Sequence, residues 1–267
     1  MRHFDIIDFH VHPFIKKENN LCQHYLDYDM NMADCRKMLE SLAVKKICGS
    51  VVSRPVTLRK GETYWDLTKA RNDEALALKK QLGDFYYPGF HVHPDFVDKS
   101  CEEIDKMTAQ GFYLIGEICP YLSGFPSECY NTEAFNEIID YAAQKNCVIS
   151  IHNSENNDDI DAFVKRHPDT KIVLAHPYEY YTFLRCLERA KYSENYYLDV
   201  SGYGLFRQNM LRYAIDKIGV DRILFGSDFP TGSAAMYVGG VVLEPTITDE
   251  EKQMILSENA KKLLNLQ

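Results

Sequence analysis

Short apolar runs alternate with longer amphipathic stretches eight times along the chain, and this beat constrains the fold more than any single motif. The strand-like runs are FDIIDFH (4–10), KKICGSVVS (45–53), FYYPGFHV (85–92), FYLIGEI (112–118), CVISIH (147–152), KIVLAH (171–176), YYLDVS (196–201) and RILFGSD (222–228). Between them, MADCRKMLESLAV, TYWDLTKARNDEALALKKQL, FVDKSCEEIDKMTAQ, NTEAFNEIIDYAAQKN, NNDDIDAFVKRH, YTFLRCLERAKY and LFRQNMLRYAIDKI place apolar residues at helical spacing. TDEEKQMILSENAKKLLNL closes the chain as a last helix, and Asn131 or Thr132 is a candidate N-cap before AFNEIIDYAA. Strands alternating with helices predict an α/β fold with a parallel sheet. Eight such units favour a closed (β/α)8 barrel, the TIM barrel, over an open doubly wound sheet. The 267 residues suit a single domain over 1–267. No GxGxxG or Walker loop follows any strand, which argues against a nucleotide-binding sheet.

The composition, 45% hydrophobic and 26% charged, is that of a soluble globular protein. A formal net charge of -9 argues against a nucleic-acid-binding surface. No run reaches the roughly 18 apolar residues of a membrane span. Asp5 and Asp8 interrupt the apolar N-terminal stretch, so no signal-peptide core is expected there. The eight cysteines are scattered, with no CxxC pair, and read as reduced, mostly buried thiols of a cytoplasmic protein.

Four of the nine histidines fall in two copies of HVHP, at 10–13 and 91–94. Residues two apart on a strand project from one face, so each copy presents a pair of candidate metal ligands. In a barrel of this kind the chemistry gathers where the strands end. His10 and His12 end the first run, Glu117 the fourth, His152 the fifth, His176 the sixth and Asp228 the eighth. Taken singly, each has a plainer reading. A strand-end histidine is usually a hydrogen-bonded structural residue, Glu117 suits an ion pair, and Asp228 in GSDFP suits an N-cap or Asx turn. Their shared register points instead to one rim.

IIDFHVHP, LIGEI, VISIH, VLAHP, YLDVSGY, ILFGSDFP and ILSENAKKLL span nearly the whole chain. In that order they resemble the amidohydrolase superfamily, within it the amidohydrolase-related group that includes aminocarboxymuconate-semialdehyde decarboxylase. The resemblance implies His10, His12, His152 and Asp228 as metal ligands and His176 as a catalytic or substrate-polarising residue. Glu117 matches the strand-four acid of some members. The first HVHP is then the metal pair. The second has no implied ligand, and His91 and His93 either contact substrate at the rim or hydrogen-bond to loops. Three imidazoles and a carboxylate suit Zn²⁺, with Mn²⁺, Fe²⁺, Co²⁺ and Ni²⁺ open. GFYLIGEICP contains no lysine for a carbamate bridge, so one ion is preferred, and two remain open if Glu117 bridges.

With such a metal, Asp228 is the candidate general base and neutral His176 the candidate donor to a developing oxyanion. Arg54 and Arg207, after the second and seventh strands, are candidate carboxylate binders, although each alone reads as a surface ion pair. The YEYYTF run offers aromatic walls or plain helix packing, and IKKENNLCQHYLDYDM, with His24, is long enough for a lid. The leading expectation is a metal-dependent hydrolase acting on an amide or lactone of a small, carboxylated molecule. Its alternatives are a non-oxidative decarboxylase, a TatD-like nuclease (disfavoured by the acidic charge and GSDFP) and a non-catalytic metal-binding barrel. Partners are then a small-molecule substrate, with neither nucleic acid nor membrane, and a second copy of the chain by family analogy.

Overall fold

The computed structural model describes residues 4–22, 29–53, 58–125, 129–153, 158–178, 180–202 and 207–266. Eight parallel strands follow one another in chain order around the sheet. They are β1 (Ile6–Asp8), β2 (Val44–Gly49), β3 (Tyr86–Phe90), β4 (Leu114–Ile118), β5 (Val148–His152), β6 (Lys171–Ala175), β7 (Tyr196–Asp199) and β8 (Ile223–Leu224). The helices between them are α1 (Met32–Ser41), α2 (Tyr64–Leu82), α3 (Val97–Thr108), α4 (Glu133–Gln144), α5 (Asp158–Arg166), α6 (Tyr181–Ala190) and α7 (Met210–Ile218). This is the α/β barrel that the alternation predicts, and its strands fall inside the eight apolar runs or within one residue of them.

Closure falls between β8 and β1, and backbone hydrogen bonds past the ends of both strands complete it. Phe9 N donates to Phe225 O (2.8 Å), Asp228 N to His10 O (2.8 Å) and His12 N to Phe229 O (2.7 Å). Asp8 reinforces the seam, its carboxylate accepting from the backbone N–H of Ser227 at 3.0 Å and from the Ser227 hydroxyl. The first and last motifs of the chain are thereby brought side by side.

Ile7, Cys48, Tyr87, Leu114, Val148, Val173 and Leu224, from seven of the eight strands, form one apolar cluster. Ala260, Leu263 and Leu264 of the C-terminal helical segment pack into it. Each fully buried leucine contributes about 1.5–3 kcal/mol by this burial. A larger cluster, with Phe135, Ile138, Phe163, Leu187 and Ile215, joins the outer faces of the strands to the helices. All eight cysteines are free thiols, and six of them are buried.

Local chemistry sets the helix starts. Thr63 and Asp66 form a reciprocal capping box on α2, and Thr248 and Glu251 do so on the last helical segment. Of the two candidates before α4, Thr132 is the cap, accepting from Phe135 N at 3.3 Å. A further helix, α8 (Ala234–Val242), has no counterpart in the sequence reading, because the Gly-Gly pair in AAMYVGGVV weakens the pattern. The C-terminal segment is helical over Asp249–Leu264 but widens to a π-helix at Met254–Glu258. Among the described residues, no helix is long and apolar enough to cross a membrane.

Candidate metal centre and active site

The strand ends deliver a cluster of four histidines and two carboxylates to one end of the barrel. His10 Nε2 lies 3.2 Å from His12 Nε2. Glu117 Oε2 is 3.5 Å from His10 Nε2 and 3.4 Å from His12 Nε2, and Asp228 Oδ1 stands 3.8 and 3.3 Å from the same two atoms. Ligand atoms about 2.0–2.1 Å from one tetrahedral ion are separated from each other by about 3.3–3.4 Å. Each carboxylate oxygen therefore stands at close to ligand spacing from the histidine pair, and the donor set of two imidazoles and two carboxylates suits a divalent cation.

Glu117 turns its other oxygen the opposite way. Oε1 is 2.9 Å from His152 Nδ1 and 3.0 Å from His176 Nε2. The sequence reading places His152 beside His10 and His12 and treats Glu117 as the optional ligand. The structure orders them differently: Glu117 lies between the two pairs, and His152 reaches the cage through it. The remaining ring nitrogen of His152 faces the Tyr178 hydroxyl at 3.2 Å.

The ligand orientations are themselves held. His10 Nδ1 pairs with Asp199 Oδ2 at 2.8 Å, which directs Nε2 into the cluster. His12 Nδ1 donates to Ser50 O at 3.0 Å. Ser201 Oγ bonds His176 Nδ1 at 3.0 Å and also reaches Asp199, whose Oδ1 accepts from Ser201 N at 2.9 Å. Two glycines make the room. A Cβ on Gly226 would stand 2.7 Å from the His10 Cβ, and one on Gly202 would stand 2.8 Å from His176 Nδ1. His176 and Asp228 both adopt left-handed backbone, each with φ of 57°. That conformation costs a non-glycine residue about 1–3 kcal/mol, and such outliers concentrate at functional sites.

Electrostatics mark the cluster as a place for positive charge. Burial disfavours the Glu117 carboxylate, but His176, His10 and His152 prevail and hold it well below the usual range. Burial likewise works against a charged His12, yet hydrogen bonds to Asp228 and Glu117 hold it up at about 9. His10 is held well above its ordinary value by Asp199 and Glu117 in spite of burial. Protons thus sit where a dication would replace them.

A cavity of about 440 Å³ opens over the cluster, with His12, Glu117, His152, His176 and Asp228 in its floor. Tyr121, Tyr178, Tyr237, Met236, Leu21 and Leu122 are among its walls. Tyr178 is the part of the YEYYTF run that faces the cavity, whereas Tyr180 and Tyr181 are exposed.

The three described candidate substrate contacts, His91, His93 and Arg207, are not part of this wall. His91 is buried and faces Val51 O through Nε2 at 2.8 Å, while Asn72 holds its backbone from both sides. Burial and the nearby Arg71 push its pKa down to about 3, so it is a neutral structural ring. His93 caps a short 3-10 turn through Asp95 N and packs among Tyr64, Phe96 and Phe125. Both outcomes match the loop-bonding alternative. Arg207 is exposed in the turn before α7 and does not line the cavity. Arg54 and His24 lie outside the described residues.

Asp199, which orients His10, is a candidate site residue absent from the strand-end set drawn from the sequence. It ends β7, so the same strand-end rule would have found it. Tyr121, Met236 and Tyr237 lie in loops and helices whose positions only the fold supplies.

A family profile described as Amidohydrolase matches residues 7–266. A search of curated protein sequences gives no match. Among solved structures, the chain is similar to 2,6-dihydroxybenzoate decarboxylase from Rhizobium, with a TM-score of 0.78 and 15% identity over 99% of both chains. It is similar to 5-carboxyvanillate decarboxylase from Sphingomonas paucimobilis, with a TM-score of 0.73 and 16% identity over 99% of this chain and 100% of that one. A dihydroxybenzoic acid decarboxylase from Polaromonas sp. JS666, solved with bound manganese and 2-nitroresorcinol, gives 0.72 and 14% over 99% and 98%. At these identities the likeness speaks for the fold, and the profile match for the family. With its motifs in order on the barrel and the profile spanning nearly its whole length, the chain belongs to the amidohydrolase family.

Proposed function

We propose that the chain is a metal-dependent enzyme that removes the carboxyl group of a small aromatic acid without oxidation. The observation that carries this reading is the tyrosine-lined cavity set directly over the histidine–carboxylate cage. The described lining includes no lysine or arginine, and a cation held at the cage would give a substrate carboxylate a positive partner there. The three solved structures named above are decarboxylases of hydroxylated aromatic acids, and one holds manganese, which supports the same choice.

His10, His12, Glu117 and Asp228 would hold the ion. A divalent cation bound there polarises carboxyl and carbonyl groups and acidifies water. Mn²⁺ and Zn²⁺ both accept this donor set. Tyr121, Tyr178 and Tyr237 form walls for an aromatic ring. The net reaction consumes one proton: the ring carbon gains it, the bond to the carboxyl carbon breaks, its electron pair stays with the ring, and CO2 leaves. His176 lines the cavity and touches Glu117 through Nε2 and Ser201 through Nδ1, so it is placed to hand that proton over.

The second reading is hydrolysis of a small amide or lactone. It draws on Asp228, which lines the cavity beside the cage and can take a proton from attacking water. One experiment separates the two. Metal-reconstituted protein is incubated with hydroxybenzoates and with an amide and lactone series, and CO2 release and ring-opened or cleaved products are followed. CO2 release that is lost in His10→Ala/His12→Ala supports decarboxylation. Cleavage without CO2 replaces it with hydrolysis, and turnover that survives in that variant removes the cage from both readings.

A further inference from the structure

Arg71 is a buried guanidinium with no acid beside it. It projects from α2, is 2% exposed, and bonds only through Nη2, to Ser53 Oγ at 2.7 Å and Ser53 O at 3.5 Å. Its Nε has no hydrogen-bond partner. No carboxylate among the described residues is in ion-pair range of it. Burial pulls its pKa down to about 10, which leaves it charged at neutral pH. The fold treats its other deeply buried arginine quite differently: Arg189 is 1% exposed and donates to Asp161 at 2.6 Å. A buried charge is costly unless something pairs with it.

What adjoins Arg71 is space. A cavity of about 540 Å³ is lined by Arg71 and Ser53, with Lys16 and Arg59 also on its wall. Glu18, Glu62 and Asp66 line it too, but two of these acids are engaged elsewhere. Glu62 accepts from Arg59 N at 2.7 Å, and Asp66 accepts from Thr63 N at 2.8 Å in the capping box of α2. Ser53 follows β2, so the cavity is at the same end of the barrel as the metal cage. The segment after β1 divides the two spaces, giving Asn19 to this cavity and Leu21 to the catalytic one.

We infer that Arg71 and Ser53 form the floor of a second binding site, one that takes a small oxyanion, a carboxylate or a phosphate-type group, beside the catalytic cavity. A guanidinium edge with free N–H groups matches a planar or tetrahedral oxyanion in two-point contact, and the serine hydroxyl adds a third donor. Because the segment after β1 forms part of both walls, an anion bound here acts on that segment and not on the cage. The inference does not depend on which reaction the cage performs.

The test is thermal unfolding in benzoate or in sulfate, each compared with chloride at equal ionic strength, of metal-loaded wild type and of the cage variant without added metal. Wild type and His10→Ala/His12→Ala should both show a saturable rise in Tm with at least one of the two anions, which excludes binding at the cage. In Arg71→Met the same anion should bind at least tenfold more weakly. If the methionine variant does not fold, Arg71→Gln carries the comparison, since it retains a donor toward Ser53. A larger shift with benzoate identifies a carboxylate ligand, and a larger one with sulfate a phosphate-type ligand. Equal shifts in wild type and the neutral variants, or no shift in wild type with either anion, would overturn the inference.

Discussion

Asp199 is the most informative residue to perturb, because its two oxygens do different work. Oδ2 pairs with His10 Nδ1 at 2.8 Å, and Oδ1 accepts from the fixed backbone N–H of Ser201 at 2.9 Å. An asparagine here keeps the shape but has only one acceptor oxygen. The Ser201 N–H cannot reorient, so the amide oxygen must serve it, and the amide NH2 then faces His10. That makes His10 Nδ1 an acceptor and moves its proton to Nε2, the atom a cation needs bare. Loss of a carboxylate that orients a ligand histidine typically costs 10- to 100-fold in metal affinity, about 1.4–2.8 kcal/mol. Asp199→Asn should therefore weaken metal binding at least as much as Asp199→Ala, while unfolding at a higher temperature than the alanine variant, which leaves both donors unserved. Chelator-competition titration of Zn²⁺ or Mn²⁺, beside calorimetric unfolding of the metal-free proteins, measures both quantities. An asparagine variant that is folded and binds metal within threefold of wild type would refute the tautomer argument.

Other expectations follow from the same geometry. Gly226→Ala would press a methyl against the His10 Cβ at 2.7 Å, and should cost about 1–3 kcal/mol of stability together with a measurable loss of metal affinity, read by unfolding and titration. Glu117→Gln removes the buried negative charge that both histidine pairs face, and should weaken metal binding by at least tenfold in the same titration. The pH dependence has a definite sign. His12 has its pKa raised from 6.5 to about 9, so its protonation stabilises the metal-free fold fully below 6.5, and that contribution fades as pH rises through about 9. Metal must displace that proton, so affinity should climb between pH 6.5 and 9, with proton release seen by calorimetry in buffers of different ionisation enthalpy. The gap in Tm between loaded and metal-free protein should widen over the same interval, and a constant gap would count against the histidine cage.

The barrel was legible because its signal is redundant. Eight apolar runs and the helical periodicity between them all point one way, and an error of a residue or two at any end leaves the topology unchanged. The rim was legible for a related reason: in a parallel barrel every strand ends at the same face, so position along the chain stands in for position in space. That logic reaches His10, His12, Glu117, His152, His176 and Asp228, and it reaches Asp199 once the seventh strand is treated like the others. It fails where a side chain's place depends on which way a helix or loop turns. His91 and His93 share the tetrapeptide of the metal pair and also follow a strand. Yet Asn72 and Val51 fix the first, and an aromatic cluster encloses the second, none of which the tetrapeptide encodes. Arg71 is the sharper case. The buried side of α2 carries Thr68, Arg71, Asn72 and Glu74 as well as Ala75 and Leu78, so polar and charged residues occupy the stripe that periodicity assigns to apolar ones. A helix that buries polar groups does so to meet partners. Asn72 meets the backbone of His91, and Glu74 meets Asn19 and the backbone of Ile15. By the same reasoning, the guanidinium of Arg71, whose hydrogen bonds among the described residues go only to Ser53, is the member of that stripe to which the inferred anion supplies a partner.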